Sequence, residues 1–208
     1  MKEIRSESIA GWCFVASMVA LVTSIVVAPS GVYQGSVSER LEIIDANQGQ
    51  WVLTKVVDAT TLALVGVGGL ALTINRRSVS RLRGIGGTLL MVAGIAGVVW
   101  FFLLAVSPGR LFEGQVPVVT ILVMLIAAGL VGLGADFLRS GYPRWAGLTG
   151  VLLGGGVLVG GILVQILRLG SALAVAFEVL VLLGVLVIGI MLVRRGRSST
   201  VVSDAPGH

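Results

Sequence analysis

Three carboxylates stand inside otherwise apolar segments: Asp58, Asp136 and Glu178. Asp58 follows Lys55 by three residues, and Asp136 precedes Arg139 by three. Residues three apart share a helix face, so each couple has the spacing of a local ion pair. Glu178 interrupts "SALAVAFEVLVLLGV" (171–185) and has no charged residue within one helical turn. A lone carboxylate among apolar residues can take up a proton, hold a cation or pair with a charge on another helix.

The surrounding composition decides which solvent these groups meet. Of 208 residues, 56% are hydrophobic and 12% charged, with mean hydropathy +1.02. Soluble domains carry about 25% charged residues, so lipid must be the main solvent. Crossing a hydrocarbon core of about 30 Å takes about 20 apolar residues. Six runs are long enough: about 9–28, 51–74, 84–106, 116–138, 145–167 and 172–193. The first reads as an uncleaved anchor, because Glu3 and Glu7 join Lys2 and Arg5 in its flank and Pro29 follows Ala28. Trp12 rather than a small residue precedes Cys13, which argues against lipidation there.

Basic residues set the expected threading. With the N-terminus inside, the inner segments carry Lys2, Arg5, Arg76, Arg77, Arg81, Arg83, Arg139, Arg144, Arg194, Arg195 and Arg197. The outer segments carry Arg40, Lys55, Arg110 and Arg168. The positive-inside rule then places both termini in the cytoplasm. It also explains the net charge of +5 without nucleic acid as a partner.

Threading locates Glu178. Counted from Arg194 at about 1.5 Å per residue, it lies about 24 Å from the inner boundary, near the outer rim. Two readings follow. Glu178 is a proton- or cation-responsive carboxylate beside an outer vestibule with Gln165, Arg168 and Asp58, or it forms an interfacial ion pair across the turn "RLGS" (168–171). The pairing reading is favoured. Asp136 with Arg139, and Lys55 with Asp58, read as local pairs at headgroup level. Trp51, "WFF" (100–102), Tyr142 and Trp145 read as an aromatic belt.

Glycine is abundant, at 30 residues, and Gly66, Gly69, Gly94, Gly97, Gly129, Gly132, Gly156 and Gly160 recur at helical spacing. Small residues let helix backbones approach closely in lipid. Aligned without gaps, "GVGGLALTINRRSVSRLRGIGGTLL" and "GLVGLGADFLRSGYPRWAGLTGVLL" superpose Gly66 on Gly129, Gly69 on Gly132 and Gly87 on Gly150. This reads as a parallel repeat of helical hairpins; the alternative is two ordinary hairpins with Arg at their inner ends.

The one long loop, 29–50, has capping-box spacing at Ser36 and Glu39, then Val37, Leu41 and Ile44 on one face. A short amphipathic helix is expected there on the outer surface, with Asn47 and Gly49 as its stop. The first span, this acidic loop ending in "NQGQW" (47–51), and "YPRW" (142–145) together resemble an uncharacterised family of prokaryotic multi-pass membrane proteins. The resemblance implies about six helices, no assigned activity and no catalytic residues.

Catalytic constellations are missing from the sequence. It has no Walker loop, no Ser/His/Asp set and no HExxH. One Cys (Cys13) and one His (His208) cannot form the usual zinc site within a chain. No cofactor is expected. The reading is an all-α membrane protein: a six-transmembrane-helix bundle in one domain, 1–193, with outer loop 29–50 and a disordered cytoplasmic tail, 194–208. Its expected setting is the plasma membrane, its partners lipid and either a second copy or a membrane protein. It reads as a non-enzymatic structural, regulatory or partner-binding protein. The alternative is a small transporter or channel using Glu178.

Overall fold

The computed structural model describes the backbone of residues 2–74, 80–111, 115–167 and 171–203, and side chains over 6–74, 80–109, 118–162 and 179–195. All regular structure among the described residues is helical. The elements are α1 (Lys2–Val27), α2 (Val37–Ala46), α3 (Gln48–Thr73), α4 (Arg81–Val106), the single turn α5 (Pro108–Leu111), α6 (Gln115–Arg139), α7 (Arg144–Leu167) and α8 (Ser171–Ser203).

Local chemistry places the ends. α1 stops two residues before Pro29, since the residue preceding proline disfavours the helical region. Ser36 caps α2 through the full capping box with Glu39, and Asn47 closes it. Ser80 caps α4 by accepting from the Arg83 amide. Between α6 and α7, Gly141 takes φ +71°, a conformation that glycine adopts without steric penalty. α8 continues ten residues past Val193, where a disordered tail is expected from the sequence. Propagating a formed helix costs far less than nucleating one, so Arg194 and Arg195 simply extend it.

Among the described residues, five helices are long and apolar enough to cross a membrane: Ser6–Val27, Gln48–Thr73, Arg81–Val106, Val118–Arg139 and Arg144–Ile162. Their outward faces are apolar, with Val19, Val26, Ile95 and Leu152 all more than half exposed. A surface of this kind suits lipid rather than water.

Each long helix packs on the next in chain order, and α8 returns to α1. α6 also touches α8, which leaves α7 peripheral. Glycine sets the spacing at four of these seams. A methyl group on Gly87 would lie 2.7 Å from the Gly69 carbonyl oxygen (α3–α4), and one on Gly86 2.8 Å from that of Gly129 (α4–α6). On Gly134 it would lie 2.7 Å from the Gly147 oxygen (α6–α7), and on Gly11 2.8 Å from the Gly189 oxygen (α1–α8). The hairpins α3–α4 and α6–α7 thus pack alike, but positions aligned in the sequence do different work. Gly69 meets Gly87 in its own hairpin, whereas its aligned counterpart Gly132 meets Gly86 of the preceding hairpin.

Candidate functional site

Among the described residues, charged groups enter the bundle at two levels. The first is a clamp at one end, centred on Arg83 in the first turn of α4. Its Nε donates to Asp136 Oδ2 of α6 at 2.8 Å, and its Nη1 to Glu7 Oε1 of α1 at 2.7 Å. The Tyr142 hydroxyl, from the α6–α7 turn, donates to the same Glu7 oxygen at 2.6 Å. Asp136 Oδ1 accepts from the hydroxyls of Ser80 and Ser140. Arg195 of α8 lies 3.9 Å over the Tyr142 ring, with its Nε 4.0 Å from Glu7 Oε2. Phe137 stacks on Tyr142 at 4.3 Å. Glu7, Arg83, Asp136 and Tyr142 are all buried.

Two carboxylates meet one buried guanidinium, Arg83, and a second, Arg195, that is about half exposed. The clamp ties α1, α4, α6 and α8 together, and its buried carboxylates are paired and hydrogen-bonded, the condition under which burial of ions is tolerated. Tyr142 stands outside the spans, and burial first, then its hydrogen bond to Glu7, push its hydroxyl well above the usual tyrosine range. It stays a proton donor.

The second level is near the opposite end. Lys55 and Asp58, one turn apart on α3, form an ion pair of 2.6 Å. The Ser24 hydroxyl of α1 donates to the other Asp58 oxygen. The Lys55 ammonium is enclosed by aromatic rings, 4.5 Å from the centre of Trp51, 5.2 Å from Phe101 and 5.8 Å from Tyr33. Lys55 is 1% exposed, whereas Asp58 keeps 13%. That exposure faces a cavity of about 30 Å³ in the middle of the bundle. Leu21 of α1, Thr61 and Leu62 of α3, Phe101 of α4, Leu122 and Ile126 of α6, and Val181 of α8 are among its walls.

The residues singled out in the sequence divide three ways. Lys55 and Asp58 do pair, with Lys55 enclosed in the bundle interior. Asp136 does not pair with Arg139: its carboxylate turns inward to Arg83, Ser80 and Ser140, while Arg139 is exposed. Residues three apart can share a face and still diverge when one of them meets a packed neighbour. The side chains of Gln165, Arg168 and Glu178 lie outside the described residues; the backbone of Glu178 belongs to α8, one turn before Val181. Of the expected belt aromatics, Trp145 is exposed, whereas Trp51 and Tyr142 are buried in the two charged clusters.

Glu7, Arg83 and Tyr142 were missed as site residues because each has an ordinary explanation as a flanking charge or a belt aromatic. One signal could have found the charges. Glu7 precedes Gly11 by four residues, Arg83 precedes Gly86 and Gly87 by three and four, and Asp136 follows Gly132 by four. Each sits one turn from a packing glycine and so on the face turned toward another helix. Arg81, off that register, is exposed.

Among the described residues no group of three His, Cys, Asp or Glu could hold a metal ion. The class this arrangement defines is an all-helical fold compatible with a multi-pass membrane protein, with two internal charge clusters among the described residues. Compared with known protein families, curated proteins and solved structures, the chain matches none. The resemblance seen in "NQGQW" and "YPRW" therefore reaches the multi-pass class and assigns no family.

Proposed function

We propose that the chain is a six-span protein of the plasma membrane, a single transmembrane domain with both termini cytoplasmic, that works without catalysis as a structural, regulatory or partner-binding subunit. α8 supplies the sixth span through 172–193. The orientation rests on the basic residues, whose excess stays on one side even when Arg83 and Lys55, held in ion pairs, are set aside.

The clamp around Arg83 carries the functional reading. Its charges are spent on one another and hold four helices together, which favours a structural role for that end. Flux across proteoliposomes tests this. The expected result is permeability to protons, sodium and small ammonium ions equal to that of protein-free vesicles. Saturable flux of any of them would overturn it.

One observation favours a second reading, a small transporter: Asp58 faces an interior cavity. On that reading the flux exists and Asp58→Asn abolishes it, and Glu178→Gln alters it.

A further inference from the structure

We propose that the interior cavity is a binding site for one small organic ammonium ion, of methylammonium size, with Asp58 as its anionic partner and Lys55 as a tethered occupant that the ion displaces. The site does not depend on whether the ion then crosses the membrane.

Three observations carry it. The cavity meets the anionic half of the pair: Asp58 is among its walls and keeps 13% exposure, while Lys55 is 1% exposed behind it. A cation entering the cavity therefore finds the carboxylate first. Next, the Lys55 ammonium already has other partners in Trp51, Phe101 and Tyr33. Cation–π attraction is strongest where water is excluded, so Lys55 can give up Asp58 without becoming an unsolvated bare charge. Phe101 belongs to both places, as a wall of the cavity and as one of the rings around Lys55.

Size and donor chemistry choose the ligand. A cavity of about 30 Å³ holds one or two water-sized groups, far below the several hundred Å³ of a drug-sized site. Hard metal cations want about six oxygen ligands. The described polar groups at the cavity are the Asp58 carboxylate and the Thr61 hydroxyl, and Thr61 donates to the Val57 carbonyl at 3.1 Å. An ammonium ion needs only one carboxylate and tolerates apolar walls on its other side. With two non-hydrogen atoms, methylammonium can bind no tighter than the millimolar range.

The test uses the full chain in detergent or nanodiscs, titrated with methylammonium chloride at constant ionic strength against sodium chloride and choline chloride. Binding is read by thermal shift and tryptophan fluorescence. The expected result is saturation by methylammonium alone, weakened about tenfold or more in Asp58→Asn, which removes the charge partner. Lys55→Met removes the competitor and should tighten binding. Leu122→Trp fills the cavity from α6 while leaving the ion pair intact, and should abolish binding even if Asp58→Asn fails to fold. No saturation of the unaltered chain would overturn the proposal. So would equal saturation by sodium, or retained affinity in Leu122→Trp.

Discussion

The two charge clusters use similar groups and reach opposite results. At the clamp, Arg83 spreads its donors over two carboxylates and a tyrosine from different elements, so every charge is tied across helices. At the second cluster, Lys55 and Asp58 lie on one helix, and Ser24 reaches the carboxylate from α1. The first arrangement fixes how helices meet. The second fixes little between helices and borders a cavity. Guanidinium geometry underlies the contrast: a planar fork serves several acceptors at once, whereas an ammonium is a point charge that aromatic rings can enclose.

The largest expected effect therefore lies at the clamp. Arg83→Met leaves Glu7 and Asp136 buried without their cation. Breaking a buried pair from one side costs about 3–5 kcal/mol. Thermal unfolding in detergent should show a collapse of stability or loss of monodisperse protein. Arg83→Lys should recover part of it, since one ammonium cannot reach both carboxylates as the fork does. Lys55→Met should cost less, because Asp58 retains Ser24 and some exposure. If Lys55→Met proves as damaging as Arg83→Met, the contrast between the clusters is wrong.

Packing between the clusters gives the next effect. Gly66 and Gly94 meet across α3–α4, where a methyl on Gly66 would lie 3.1 Å from the Gly94 Cα. Gly66→Leu cannot be absorbed by rotating a side chain, because the obstacle is backbone. Overpacking of this sort costs about 1–3 kcal/mol. Gly156 has nothing within 4 Å of an added methyl, so Gly156→Ala should leave the unfolding temperature unchanged. The pair of variants separates seam glycines from lipid-facing ones.

Helix positions were legible in the sequence because apolar length and capping residues are local properties. The capping box at Ser36, the stop before Pro29 and the Lys55–Asp58 pair could all be seen for that reason. The partners of Asp136 could not. Ser80 and Arg83 lie more than fifty residues away, and their meeting depends on which face α4 turns toward α6. That face is set by Gly86, Gly129 and Gly132, whose role shows only when both helices are placed together. The glycine alignment is equally local: it matches residue types, while Gly69 closes on Gly87 of its own hairpin and Gly132 on Gly86 of the preceding one.

Alkaline titration sharpens the account of the clamp with a smaller effect. Tyr142 is held protonated in the folded chain by burial and by its bond to Glu7. The unfolded chain, whose tyrosine ionises near pH 10, binds fewer protons above that pH than the folded one. Stability is thus fully present below about pH 10 and declines as pH rises beyond it. Tyr142→Phe should remove this extra alkaline loss and lower stability at neutral pH by about 1–2 kcal/mol, the cost of a hydrogen bond to a charged group. Parallel pH–unfolding curves for the two proteins above pH 10 would show that Tyr142 is not the group responsible.

The smallest effect belongs to α2, which rests on α3. Ser36 and Glu39 bind each other reciprocally: the Ser36 amide donates to the Glu39 carboxylate at 2.7 Å, and the Ser36 hydroxyl accepts from the Glu39 amide. These bonds hold the Glu39 carboxyl below the usual carboxylate range. The box is therefore intact at neutral pH and is lost only as pH falls through that lowered value. Ser36→Ala should cost about 1 kcal/mol, the usual worth of such a cap. The loss should stay local, because Ile44 is the only fully buried residue of α2 and the spans are held by glycine seams and the clamp. Amide hydrogen exchange should quicken over 37–46 while the unfolding temperature stays put. A lowered unfolding temperature would mean that the Lys55 end depends on α2 for its stability, and the division of labour between the two ends would have to be redrawn.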